Sequence, residues 1–409
     1  MKSLTLYIIV ALLVISCQPA NEKAEGTSNL KSLEAPSGSN TSLPYLTKGG
    51  DNFLYMSWVE KRDSGWIDLK YSVLKEGAWQ VSEVIASGKD WFVNWADYPM
   101  MAVDNQGNMV AHYLAKSSAG TYSYDVNVVF KPEGRQWSDP IVPHDDHTPT
   151  EHGFATLLPN NDGSFLLTWL DGRNTGGGDH DTHDGHGGGG AMTIRTATLG
   201  MNGILSNEAE LDSRVCDCCQ TGGAMTSNGP VIVYRDRSEE EVRDMSFVRM
   251  MENEWTAPSS INTDGWKING CPVNGPRIAT FDNTAAVAWF TAADGIAQVK
   301  VAFLGDSDKS FQEPIIIDDT GSVGRVDVVM KDEDSAIVSW LDLDDETPYI
   351  KYIQVFKDGK MGDTKIVSAT SASRGSGFPQ MEMVNGVLFF AWTNMIENET
   401  KIDMKMVEL

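Results

Sequence analysis

Seven apolar runs of similar length, each with an aromatic near its centre, punctuate a polar chain. They read FLYMSWVE (53–60), MVAHYLAK (109–116), FLLTWLDG (165–172), VIVYRDRS (231–238), AAVAWFTA (285–292), AIVSWLDL (336–343) and VLFFAWTN (387–394). Their anchors, Trp58, Tyr113, Trp169, Tyr234, Trp289, Trp340 and Trp392, lie 51 to 65 residues apart. A tight turn rich in Asn, Asp and Gly leads into most runs, as in AVDNQGNMV, LLPNNDGSFL and MVNGVLF, which is the chemistry of a hairpin. An alternating stretch follows (IDLKYSVL, YDVNVVFK, MTIRTATL, YIKYIQVF), then a short one opened by an aromatic (WQVSEVIA, WSDPIVP, WTAPSSI, FQEPIII). Four antiparallel strands repeated at roughly 50-residue intervals predict the blades of an all-β propeller.

Seven copies predict seven blades, with six, the other common ring size, as the alternative. The last copy ends at Leu409 without its fourth strand. NLKSLEAPSG (29–38) resembles the outer-strand segment VSEVIASG (81–88), so the N-terminal segment is predicted to complete the last blade. That closure would remove the open edges that make sheets prone to association. One propeller domain is therefore expected over residues 29–409.

The start of the chain carries an address. Met1 and Lys2 precede an apolar run from Leu4 to Ile15, followed by Ser16 and Cys17. A run this short reads as a secretory signal peptide, residues 1–16, rather than a spanning helix. Leu13-Val14-Ile15-Ser16-Cys17 resembles a bacterial lipobox, which implies a lipid on Cys17 and a cell-envelope location, periplasmic or on the outer-membrane surface. Residues 17–28 then read as the lipidated cysteine and a flexible tether. A formal net charge of −25 disfavours any nucleic-acid partner. A monomer is expected, with the membrane as partner through Cys17.

Worn versions of the turn Ser-x-Asp-x-Gly-x-x-Trp occur in KEGAW (75–79), KPEGRQWSDP (131–140) and GDSDKSFQEP (305–314). With the blade repeat, they make the chain similar to the sialidase-like, BNR-repeat β-propellers of bacteria. The resemblance covers nearly the whole domain but is architectural. Exo-sialidases of that group clamp a carboxylate with three arginines, one from the first blade. The matching stretch here, TSLPYLTKG (41–49), holds none.

In a propeller, the loops entering each inner strand and those joining second to third strands share one rim, where function concentrates. On that rim fall HDDHTPTEHGF (144–154), RVCDCCQTGG (214–223) and GWKINGCPVNGP (265–276), together with the long insertion DGRNTGGGDHDTHDGHGGGG (171–190). Cys216, Cys218, Cys219 and Cys271, with His180, His183 and His186, make a candidate site for copper or zinc, with Met192 and Met225 near in sequence. One or two disulfides are the competing reading of the same cysteines, since spacing alone does not fix connectivity. The histidine insertion reads equally well as a solvated low-complexity segment.

His152, Glu151, Asp97 and Asp236 are the candidates for proton transfer, with His144 and His147 read as exposed. Arg173, Arg235, Arg237, Arg243, Arg325 and Arg374 border the same loops and could gather an anionic glycan or small ligand. Local pairs such as Arg235 with Asp236 and Arg243 with Asp244 are the structural alternative. Three functions stay open: a metal-binding propeller, a glycosidase or lyase acting on acidic glycans, and a binding scaffold without catalysis.

Overall fold

A computed structural model describes residues 29–176, 190–305, 307–396 and 399–409. The described residues form seven antiparallel sheets arranged as the blades of a closed ring. The six-bladed alternative does not hold. Inner strands are Thr41–Lys48, Met101–Val103, His152–Pro159, Gly222–Thr226, Arg277–Phe281, Ser322–Asp332 and Gln380–Val384, for blades 1 to 7 in turn.

Closure comes from the N-terminal segment, as the sequence predicts. Lys31–Leu33 pairs with the last strand, Glu399–Glu408, with Lys31 opposite Met406 and Leu33 opposite Met404. Blade 2 is thinner than the repeat implies. Its fourth strand shrinks to one bridge between Val128 and Ile141. The two prolines of WSDPIVP, Pro140 and Pro143, each lack the N–H a ladder needs.

The turns follow from their residues. Asp104 Oδ1 accepts from the backbone N–H of Gln106 and of Asn108, both at 2.8 Å, folding the blade 2 hairpin back on itself. Asn385-Gly386, with φ of 52° and 77°, is the left-handed pair of a two-residue hairpin.

The anchors form the cores between blades. All seven are buried, and three rivet a blade to the preceding one through a hydrogen bond. Tyr234 Oη donates to Asp212 (2.7 Å), Trp289 Nε1 to Asp264 (2.8 Å) and Trp340 Nε1 to Asp318 (3.1 Å). Truncating such an aromatic to alanine would cost about 3–5 kcal/mol. Among the described residues no helix is long and apolar enough to cross a membrane.

Candidate functional site on the rim

Four blades bring the unusual side chains of the rim together. From blade 2 come Asp97, just before the inner strand, and Tyr124 and Asp125 at the start of Tyr124–Lys131. Glu151 precedes the inner strand of blade 3, Cys216 to Cys219 that of blade 4, and Cys271 that of blade 5.

Tyr124 joins the two carboxyls. Its hydroxyl lies 3.2 Å from Asp97 Oδ2 and in short contact with Glu151 Oε1, while the Phe154 N–H donates to Asp97 Oδ1 at 2.8 Å. Burial pushes Asp97 up to about 7, against the pull of the Phe154 N–H and the Tyr124 hydroxyl. Burial also drives Glu151 well above the usual carboxylate range, and the neighbouring charges of Asp97, Asp217 and Cys271 add to the shift. Gly153 leaves room for the pair: a Cβ there would meet Asp97 Oδ2 at 2.0 Å. Asp236 lies elsewhere, held by the Arg237 N–H at 2.7 Å and raised by burial.

Next to Glu151 sits the thiol cluster. Cys216 Sγ is 3.4 Å from Cys219 Sγ and 3.9 Å from Cys218 Sγ, and Cys218 hydrogen-bonds Cys271. The four thiols are free. Neither separation approaches the roughly 2.05 Å of a disulfide, so the disulfide reading finds no bond here. Burial pushes the Cys216 thiol up to about 11. At Cys219 burial is outweighed by hydrogen bonds from Cys216 and Cys218 and by the charge of Arg235, which together hold it well below the ordinary thiol range. Arg243 Nη1 donates to Cys216 Sγ at 3.2 Å.

His144 and His152 form a second cluster between blades 2 and 3. His144 is not exposed, as its sequence context had implied, but buried, because the chain folds it flat against His152. The rings stack at 3.7 Å with 10° between their planes. Around them stand Asp125, Asp146 and Asp171, the last gripped by Arg173 at 2.7 and 2.8 Å. His144 Nδ1 bonds Asp146 at 2.8 Å. His144 Nε2, both nitrogens of His152 and Asp125 Oδ1 are buried without a hydrogen-bond partner among the described residues. Each such atom costs about 1–3 kcal/mol in an otherwise satisfied interior. His147 is exposed. His180, His183 and His186 lie outside the described residues.

Most of the candidate arginines spend their donors inside the protein. Arg235 gives its N–H groups to the carbonyls of Asn274, Arg243 and Phe290, not to Asp236, and stacks on Trp266. Arg325 reaches Ser376 Oγ and the carbonyls of Ala372, Ser373 and Gly377, tying blade 6 to blade 7, and burial lowers it to about 10. Arg237 pairs with Asp217 and Glu241, and Arg243 with Glu241 and Cys216 rather than Asp244. Arg374 is exposed on a short turn of 3₁₀ helix.

Sequence reasoning missed Arg277. It is 3.0 Å from Asp327 and faces Tyr45, bridging blades 1, 5 and 6 near the axis. Only ring closure brings those positions together.

No protein-family pattern matches the chain, and no curated protein matches it in sequence. Solved structures do share its architecture. Polysaccharide lyase Uly1 superposes with a TM-score of 0.51 at 9% identity, over 89% of each chain. The two share the β-propeller fold. Other similar solved structures include a protein of unknown function from Dyadobacter fermentans, with a TM-score of 0.48 and 10% identity over 93% of this chain and 99% of that one. The NanB sialidase from Streptococcus pneumoniae gives 0.46 and 10% identity over 93% and 94%. At such identity the propeller shape is shared, and no residue role travels with it.

Proposed function

We propose that this chain is an exported, lipid-anchored propeller of the cell envelope whose rim thiols hold a soft or borderline metal ion, copper(I) or zinc. The observation that carries the reading is the set of unbonded sulfurs. Cys216, Cys218 and Cys219 offer three Sγ atoms within 4.8 Å of one another. A tetrahedral zinc site with metal–sulfur bonds of about 2.3 Å needs sulfurs roughly 3.8 Å apart, which the 3.4 and 3.9 Å separations bracket. Cys271, which lies outside that group of three but hydrogen-bonds Cys218, would be the fourth donor. Arg243 and Arg235 offset the negative charge that bound thiolates bring. The anchor rests on the lipobox-like run ending at Cys17.

Elemental analysis of the secreted domain after a chelator wash tests this directly. Expected is about one tightly held, sulfur-bound copper or zinc that is lost in Cys216→Ser and Cys219→Ser; an unchanged metal content in both variants would refute it. For the anchor, Cys17→Ala should abolish partition into membranes.

A second reading is favoured by the Asp97–Tyr124–Glu151 group. Carboxyls whose protonated form burial favours, beside a tyrosine hydroxyl, are equipped for proton transfer, as a glycosidase or lyase on acidic glycans requires. Cleavage of sialylated or uronic-acid glycans, lost in Asp97→Asn, would establish it.

A further inference from the structure

We propose a second metal site, independent of the thiols, in which Asp125 Oδ1, His144 Nε2 and His152 Nδ1 hold a divalent ion of the zinc type. These three atoms face one another across blades 2 and 3. His144 Nε2 is 3.6 Å and His152 Nδ1 3.4 Å from Asp125 Oδ1, and the three lie within 4.8 Å of one another. Ligands about 2.0–2.2 Å from a tetrahedral zinc stand roughly 3.4 Å apart, which is the spacing seen. All three are buried and make no hydrogen bond among the described residues.

The nitrogens pointing away from that centre complete the argument. A metal-bound imidazole uses its other N–H on a carboxylate, which fixes the tautomer and the ring orientation. Here His144 Nδ1 is 2.8 Å from Asp146 Oδ1, and His152 Nε2 is 3.3 Å from the same oxygen and 3.7 Å from Asp171 Oδ1. Asp146 is itself fixed by the Thr148 N–H and hydroxyl, and Asp171 by Arg173. His144 therefore has a carboxylate bond on one side and an unpartnered nitrogen on the other, whereas His152 has carboxylate oxygens near Nε2 without a formed hydrogen bond; the unpartnered His144 Nε2 and His152 Nδ1 both turn to Asp125. Because the rings lie within 10° of parallel, binding requires one ring to tilt until both lone pairs meet the ion. Asp125 is a quarter exposed, so the ion enters from its side and a water can take the fourth position.

The donor set is nitrogen and oxygen, which separates it from the thiol cluster by chemistry and by experiment. In the full mature chain carrying Cys216→Ser, Cys218→Ser and Cys219→Ser, zinc titration should still load about one ion. Its X-ray absorption should show a nitrogen/oxygen shell at about 2.0–2.1 Å and no sulfur. Adding Asp125→Asn should weaken zinc binding at least 10-fold and His144→Gln should remove it, with melting profiles close to the parent as the control for folding. Asp146→Asn should weaken the site 10- to 100-fold without removing it. Zinc binding absent from the triple-serine variant, or unmoved by Asp125→Asn and His144→Gln, overturns the proposal. Should the triple-serine variant not fold, the wild-type chain decides. A second zinc equivalent must add imidazole scattering, and a purely sulfur shell at two equivalents overturns the site.

Discussion

Asp97 makes a measurable claim about protons. An unfolded aspartate titrates near 3.9, whereas burial raises Asp97 to about 7 in the folded chain. Between those values the native state keeps a proton that the unfolded state has lost. The group's contribution is therefore fully present below pH 4 and is lost as pH rises through 7. Each pH unit in that window is about 1.4 kcal/mol, and partial ionisation near the top brings the loss between pH 5 and pH 7 to about 2 kcal/mol. Asp97→Asn should remove this slope with little distortion. Its amide oxygen still accepts from the Phe154 N–H, and its NH₂ can donate to the Tyr124 hydroxyl. Urea unfolding of both proteins at pH 5, 6 and 7, followed by tryptophan fluorescence, should show the parent losing about 2 kcal/mol more than the variant. Parallel stability curves would refute the reasoning, because Asp97 would then titrate alike folded and unfolded.

Other substitutions test the frame around the site. Arg325→Lys leaves one ammonium to serve four acceptors in blade 7 and should cost about 2–3 kcal/mol by urea unfolding. Trp289→Phe removes the donor to Asp264, whose other oxygen holds Lys300. A loss of about 1–2 kcal/mol is expected, with a coupling above about 0.5 kcal/mol in a double-mutant cycle with Asp264→Asn. Gly153→Ala drives a Cβ into Asp97 and Tyr124, so it should destabilise by about 1–3 kcal/mol and alter the pH slope ascribed to Asp97.

The architecture was legible because each blade repeats one local grammar. Period-two alternation, an Asn/Asp/Gly turn and a central aromatic can be read inside fifty residues, and the need to close the ring called Lys31–Leu33 into blade 7. What stayed hidden depends on contacts that cross blades. Asp125 and His152 are 27 positions apart and belong to different sheets, so nothing local marks them as neighbours. His144 looked like a loop residue because its cover is another histidine ring. Arg235 and Arg325 carry the residue type that binds anions, yet their acceptors are backbone carbonyls, which leave no trace in composition. The cysteines were the reverse case: three within four positions must meet, whatever the fold around them.

Two proposed centres side by side imply a division of metals by hardness. Thiolates favour copper(I), whereas two imidazoles and a carboxylate suit zinc and bind copper(I) poorly. Both sites should accept zinc when it is the sole metal offered. If copper(I) is then added under reducing conditions, it should displace zinc from Cys216, Cys218, Cys219 and Cys271 and leave the ion on Asp125, His144 and His152. The zinc:copper ratio of the washed protein should settle at about one zinc per thiol-bound copper load, with the remaining zinc in a nitrogen/oxygen shell. Loss of both zinc ions together would mean that the clusters share one site or exchange freely. Retention of both would mean that the thiols are not the softer pole of the rim. The first outcome alone fits a surface on which Glu151 stands within reach of Cys271 while His152, next along the chain, turns its ring into a separate carboxylate cage.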